Sequence, residues 1–320
     1  MNCLTRIGLI GCGHWGRYIL RDLKSLGCHV TVVSRSEKTR AHAREYHADK
    51  IVQQIDELNH IDGIVIATPT ATHFSVIQKA AALSVPIFVE KPMTANLQDA
   101  EWLVENLRDR LFVMHKWRYH KGVQLLADIA KTQELGQVLG LHTHRMNWGS
   151  RYADVDMIWI CLPHDLSISL EILGYIPTPR SAVAIEWGHE TVELISVSGE
   201  NPWNVVEISS VRPTLNREIR LECEYGVAVL KDGYDDYISI YHKKYWNHDL
   251  KKHTEIRPFT NEMPLLCELR EFVDYLHGGA LPKSDAKEGL AVVRAITEIR
   301  RLAGIKHSGI LPMSHMEISQ

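Results

Sequence analysis

The chain has 320 residues, longer than a single hydrophobic core usually reaches, so two domains are expected. With 45% hydrophobic and 23% charged residues it has the composition of a soluble globular protein, and a net charge of -3 provides no field that would favour nucleic acid or an anionic membrane. No run of about 18 apolar residues and no signal-peptide pattern is present, so a cytoplasmic protein with a small-molecule partner is expected.

The first stretch with chemistry is Arg6-Ile7-Gly8-Leu9-Ile10-Gly11-Cys12-Gly13-His14-Trp15-Gly16, a short apolar run that closes into G-x-G-x-x-G. Gly11 permits a tight turn, Gly13 lets backbone approach a pyrophosphate, and Gly16 lets the next helix pack close to the strand. Apolar residues at helical spacing then run to Gly27, so strand and helix flank the glycines as a dinucleotide site requires. The helix N-terminus would offer free N–H groups and a positive dipole end to the diphosphate.

A second strand, residues 28–36, ends in Ser34, Arg35 and Ser36. An NAD site places an acid near this point for the ribose 2′-hydroxyl, whereas Arg with small hydroxyl neighbours accommodates a 2′-phosphate, so NADP(H) is preferred and NAD(H) stays open. Helices then alternate with strands: helix 37–48, strand 50–52, a helical turn 56–59, strand 63–68, helix 73–83, strand 85–90, helix 96–108 and strand 111–115. Near-continuous apolar strands alternating with helices imply a parallel sheet covered on both faces, with ligands outside the carboxyl ends of the strands. Two segments lie at such ends, Thr68-Pro69-Thr70-Ala71-Thr72-His73 and Glu90-Lys91-Pro92-Met93.

Beyond residue 118 the pattern changes. Residues 183–197, 205–211, 217–230 and 237–242 read as strands of β-branched and aromatic residues, and helices are expected over 262–276 and 284–303, the second capped by Ser284 or Asp285. His142 and His144 alternate on one strand face without a third ligand at metal spacing, so no metal is expected. The six cysteines, Cys3, Cys12, Cys28, Cys161, Cys223 and Cys267, are scattered and read as reduced thiols, with Cys12 inert inside the glycine loop. Arg145, Trp148 and Arg151 could meet an anionic or sugar ligand from this half, or form a solvated basic loop.

The glycine loop, then Ala67-Thr68-Pro69-Thr70-Ala71-Thr72-His73, then Val89-Glu90-Lys91-Pro92-Met93, resembles the Gfo/Idh/MocA family of NAD(P)-dependent oxidoreductases. The resemblance continues through Trp117-Arg118-Tyr119, residues 135–138, residues 159–174 and the region 281–302. It implies an α/β protein with a Rossmann domain over 1–118 and, over 119–320, an α/β domain whose open, mainly antiparallel sheet forms a homodimer or homotetramer interface. Candidate cofactor contacts are Gly11, Gly13, His14, Trp15, Gly16, Ser34, Arg35, Ser36, Thr68, Pro69, His73, Glu90 and Lys91. Candidate substrate contacts are Arg118, Tyr119 and Asp165.

The resemblance makes Lys91 and His164 catalytic. Lys91 precedes Pro92, which fixes backbone geometry, and its ammonium could stabilise an oxyanion or pass a proton. His164, read as lying just before an amphipathic helix, would exchange a proton with the substrate oxygen. One departure stands out: the family has an acid four residues before this His, and here that position is Ile160. Asp156 or Asp165 could replace it only if the loop bends suitably. The expected activity is NADP(H)-dependent hydride transfer at a secondary alcohol or ketone of a sugar or sugar derivative, nucleotide-linked ones included. The alternatives are a non-catalytic NADP-binding sensor or assembly subunit, and an imine reductase.

Overall fold

The computed structural model describes residues 4–149, 154–188, 190–260 and 262–311. Two compact units emerge, Met1–Lys116 with Met263–Val293, and Trp117–Glu262 with Arg294–Gln320. The segment 263–293 therefore clusters with the N-terminal unit, although the sequence-based division places it in the second domain.

The first unit begins β1 (Arg6–Ile10), α1 (Gly16–Ser25), β2 (His29–Val33), α2 (Glu37–Glu45) and β3 (Lys50–Val52). It continues β4 (Gly63–Ile66), α3 (His73–Ala81), β5 (Ile87–Glu90), α4 (Leu97–Leu107) and β6 (Leu111–Met114). The six strands are parallel in the order β3-β2-β1-β4-β5-β6. The order reverses between β1 and β4, which is where a doubly wound sheet opens a crevice at its carboxyl edge. Strand centres are fully buried, Ile7, Leu9, Val65 and Phe88 among them, because helices cover both faces.

The second unit contains α5 (Lys121–Thr132), β7 (Val138–Trp148), α6 (Met157–Leu173), β8 (Pro179–Trp187), β9 (Glu190–Gly199) and β10 (Trp203–Ser209). There follow β11 (Val211–Asn216), β12 (Ile219–Cys223), β13 (Gly226–Leu230), β14 (Tyr237–His242), α7 (Leu250–His253) and β15 (Thr254–Pro258). The sheet order is β15-β14-β13-β12-β7-β10-β9-β8, with β11 also on β7. Only the β7–β10 pair is parallel. Two of the expected strands are hairpins: residues 183–197 divide at Gly188, φ +63°, and residues 217–230 divide at Glu224 and Tyr225.

Along β7 the odd residues Leu141 and Thr143 are wholly buried, while the even residues His142, His144 and Met146 are partly exposed on the other face. Helices α5 and α6 pack on the inner face, so the outer face is open. The chain then forms α8 (Pro264–Leu276) and α9 (Ala286–Leu302). Helix α8 joins the core of the first unit, Phe272 stacking on Phe88 with ring centroids 4.9 Å apart. Asp285 caps α9, accepting from the Glu288 N–H at 2.9 Å.

Candidate functional site

The glycine loop leaves β1 with Gly11 at φ +93°, a conformation that side chains resist, and the Gly11 N–H donates to the Val33 carbonyl at 3.0 Å. A Cβ on Gly11 would sit 2.7 Å from the Ala67 carbonyl oxygen, and one on Gly16 would sit 2.4 Å from that of Gly11. Both glycines are demanded by backbone packing. Gly13 is different: a Cβ there would meet nothing within 4 Å. No protein neighbour requires glycine at that point, so the space it leaves suits an approaching diphosphate. No acidic residue lies in the first turn of α1, so an anion at this helix end has no carboxylate to compete with. The residues present fit a dinucleotide.

At the end of β2, Ser34 is buried and its Oγ lies 2.5 Å from Thr39 Oγ1, while Ser36 caps α2 by accepting from the Thr39 N–H. These two hydroxyls serve the turn itself. Arg35 is exposed and its guanidinium donates to Gln54 Oε1 at 3.2 Å. The nearby acid, Glu37, is held by Arg40 and Arg44 at 2.8 and 2.7 Å, and these partners keep its carboxyl below the usual range. The edge that would face an adenosine ribose therefore presents a guanidinium and no uncommitted carboxylate.

At the β4 edge, His73 is buried, with ring nitrogens 2.9 Å from both the Pro92 and the Thr68 carbonyl oxygens. It cross-braces the loops after β4 and β5. Thr68 and Pro69 remain on the surface of that loop, and the exposed His14 packs edge-on against Tyr18.

Lys91 follows directly on β5, and its peptide bond to Pro92 is cis. The Lys91 N–H donates to Glu90 Oε2 at 3.1 Å, while the Trp15 indole N–H donates to Glu90 Oε1. Trp15, from the glycine loop, is thus a further partner of the carboxylate, and the Lys116 ammonium lies 4.6 Å from its ring centroid. Burial pushes the Glu90 carboxyl above its ordinary range, opposed by the charges of Lys91 and Lys116 and by the Trp15 hydrogen bond.

Glu268 completes this cluster and is absent from the sequence-based candidates. It is 1% exposed on α8, one turn before Phe272, and Phe88 lies two residues before Glu90 on the same face of β5. The Phe88–Phe272 stack therefore sets Glu268 toward Glu90. Burial, reinforced by Glu90, drives the Glu268 carboxyl well above its ordinary range. A signal existed in the sequence: Glu268 interrupts the apolar stripe Leu265, Leu269 and Phe272, where a charge is rare unless partnered.

In the second unit His164 lies inside α6, not before a helix. The helix begins a turn and a half before Pro163, where Asp156 accepts from the Trp159 N–H at 3.2 Å. The helix is buried nearly all round. Between Cys161 and Leu170, only His164 is not buried, and Ile160, one turn before it, shares its partly exposed stripe.

The two aspartates that could replace the missing acid are committed elsewhere. Asp156 also receives Arg300 Nη1 at 2.6 Å, and Asp165, 1% exposed, receives Arg145 at 2.8 and 3.2 Å. The Arg145 guanidinium lies 4.9 Å from the Trp117 ring centroid. Asp165 thus ties the helix that carries His164 to β7. Arg118 is likewise buried and holds Glu171 at 3.0 Å, and Tyr119 is buried. Trp148 is 67% exposed and Arg151 lies outside the described residues.

A parallel sheet of order 3-2-1-4-5-6, a glycine loop at its switch point and a lysine at the adjacent strand end define a dinucleotide-binding Rossmann protein joined to a mainly antiparallel α/β unit. Residues 5–115 match the Gfo/Idh/MocA model, an oxidoreductase family with an NAD-binding Rossmann fold. The match covers about a third of the chain, its dinucleotide-binding part.

The chain is 28% identical over 185 residues to UDP-N-acetylglucosamine 3-dehydrogenase of Acidithiobacillus ferrooxidans, which covers 56% of this chain and 58% of that protein. It is 30% identical over 158 residues to inositol 2-dehydrogenase of Pseudarthrobacter chlorophenolicus, covering 46% and 47% respectively. It thus spans about half the length of these relatives. The solved structure of the Acidithiobacillus ferrooxidans enzyme superposes with a TM-score of 0.81 at 22% identity, over 95% of this chain and 99% of that one, which is a likeness of fold. No helix among the described residues is long and apolar enough to cross a membrane.

Proposed function

We propose that this protein is an oxidoreductase that moves hydride between NADP(H) and a secondary alcohol or ketone of a sugar or polyol derivative. The observation that carries this reading is the β5 edge, where Lys91 is set between Glu90 and Pro92 beside a glycine loop whose Gly13 leaves open space. The names of the matched relatives, an N-acetylglucosamine nucleotide dehydrogenase and an inositol dehydrogenase, support the substrate class. Arg35 and the absence of an uncommitted acid at the β2 end among the described residues support the 2′-phosphate.

When bound, the nicotinamide supplies or accepts the hydride. Gly13 and the α1 N-terminus would hold the diphosphate, with Gly11 shaping the turn that admits it, and Arg35 would pair with the 2′-phosphate. Lys91 stabilises negative charge on the substrate oxygen, its backbone N–H anchored on Glu90. His164 exchanges the proton of that oxygen. The β8 edge of the second sheet, with Val183, Ile185 and Trp187 on β8 and Ile195 on β9 all between 45% and 67% exposed, supports self-association along that edge, as a homodimer or homotetramer, leaving β7 and β10 uncovered.

Ile160 favours a second reading. It shares the stripe of His164, and neither nearby aspartate replaces the missing carboxylate, which suits a dinucleotide-binding sensor or assembly subunit without turnover. Titration with NADPH and NADH, followed by turnover on a panel of ketosugars and polyols, separates the two. Tight NADPH binding with turnover lost in Lys91→Ala and His164→Ala supports the enzyme, and Arg35→Ala should then weaken NADPH by about tenfold or more while sparing NADH. Binding without turnover across the panel would select the sensor, and no binding of either nucleotide would overturn both.

A further inference from the structure

The outer face of the second sheet carries a cluster that the dinucleotide site does not use. His142 and His144 stand two residues apart on β7, so both project from the open face, and the register of the parallel pair sets Glu207 of β10 directly beside His144. His142 Nε2 and His144 Nε2 are 2.9 Å apart, and Glu207 Oε2 lies 3.6 Å from His144 Nε2. One ligand atom from each of the three lies within 4.8 Å of the other two. In sequence the two histidines lack a third ligand because Glu207 is more than sixty positions away; strand pairing supplies it.

We propose that His142, His144 and Glu207 form a binding site for a divalent cation of the zinc class, with a fourth coordination position open to solvent. Zinc bonds of about 2.0–2.2 Å to imidazole nitrogen and carboxylate oxygen in tetrahedral geometry place ligand atoms about 3.3 Å apart. The two observed separations, 2.9 and 3.6 Å, lie on either side of that value, and the three ligand atoms all lie within 4.8 Å of one another. Two imidazoles with one carboxylate select a borderline cation over magnesium or calcium, which take oxygen ligands. His144 and Glu207 are each 27% exposed at the side chain, which admits an ion from solvent.

The neighbouring charges permit this occupancy and state its cost. Arg220 Nη2 lies 2.6 Å from His142 Nδ1 and, as a donor, fixes the ring proton on Nε2. Ligation through Nε2 requires that proton to move to Nδ1 and the guanidinium to turn away. Arg220 already donates through Nε to Glu222 at 3.0 Å and lies 3.8 Å from Glu218, so its charge stays balanced when it does. The rival explanation is a plain hydrogen-bonded chain from Arg220 through both imidazoles, with Glu207 at its end. The two differ in what Arg220 does: it competes with a metal, but it anchors a chain.

The experiment is calorimetric titration of the metal-stripped full chain with zinc chloride alone, together with thermal melts with and without zinc. One zinc per chain is expected, with a melting temperature that rises with zinc concentration. His144→Ala and Glu207→Gln should each weaken binding by about 100-fold or more. Arg220→Gln should tighten it. Glu207→Gln is nearly isosteric on a partly exposed face, so it tests the site even if His144→Ala does not fold, and His248→Ala reports on adventitious histidine binding elsewhere. Absence of a saturable single site, unchanged affinity in Glu207→Gln, or loss of binding in His248→Ala instead would overturn the proposal.

Discussion

Arg145 grips Asp165 with two hydrogen bonds, Nε to Oδ2 at 2.8 Å and Nη2 to Oδ1 at 3.2 Å, one residue beyond His164. The side chains are 8% and 1% exposed, so the pair is desolvated on both sides. Removing one partner strands a buried charge, whereas removing both leaves only a packing problem. Asp165→Asn is expected to lower unfolding free energy by about 3 kcal/mol or more, and Asp165→Leu with Arg145→Met to recover most of that loss, measured by urea denaturation. If the double variant proves as unstable as the single one, the pair is not what ties β7 to α6.

The three glycines after β1 should separate by function. Gly11→Ala and Gly16→Ala drive a methyl into backbone oxygens at 2.7 and 2.4 Å and should cost about 1–3 kcal/mol of stability. Gly13→Ala meets no protein atom within 4 Å, so its melting temperature should stay at the wild-type value while dinucleotide affinity falls. Melts paired with NADPH titration check this. Wild-type affinity in Gly13→Ala would place the diphosphate elsewhere.

Much of the first unit is legible in sequence because its signals are local. Apolar strands, the glycine loop and strand-end Lys91 follow one another within about ninety residues, and the parallel order follows from that alternation. The second unit is less so, because its informative contacts are distant. Glu207 reaches His144 only through strand pairing, and Glu268 reaches the Glu90 cluster only because α8 returns to the first unit. His164 lies inside its helix rather than before it, because the N-cap at Asp156 starts α6 well ahead of Pro163. The partners that bury His73 and Asp165, carbonyls of two loops and the Arg145 guanidinium, are likewise out of reach of local pattern.

Cys12 occupies the glycine loop but is fully buried, and burial pushes its thiol up to about 11, as it does those of Cys28 and Cys223. At pH 8 only about one such thiol in a thousand would be ionised. Iodoacetamide on the native protein at that pH should leave these three unmodified, and the same treatment in urea should label all of them, as read by peptide mass spectrometry. Rapid native labelling of Cys12 would mean that the loop opens and that the thiol is not inert.

The last expectation concerns Glu268, whose carboxyl sits among Glu90, Lys116 and Glu271 with its folded pKa raised well above the ordinary 4.5. Below that value both folded and unfolded chains carry the proton, and the group has no effect on stability. As pH rises past it, the unfolded chain releases the proton while the folded one keeps it, so stability falls by up to about 1.4 kcal/mol per pH unit until the folded group ionises as well. Glu268→Gln keeps the shape of the protonated acid and does not titrate. Its stability relative to wild type should therefore climb between pH 5 and pH 7, because the wild type declines over that window and the variant does not. Urea denaturation of both proteins at pH 5, 6 and 7 measures the difference directly. Parallel stabilities across the three values would mean that Glu268 ionises in the folded protein as readily as in the unfolded chain, with Lys116 rather than a proton neutralising it beside Glu90.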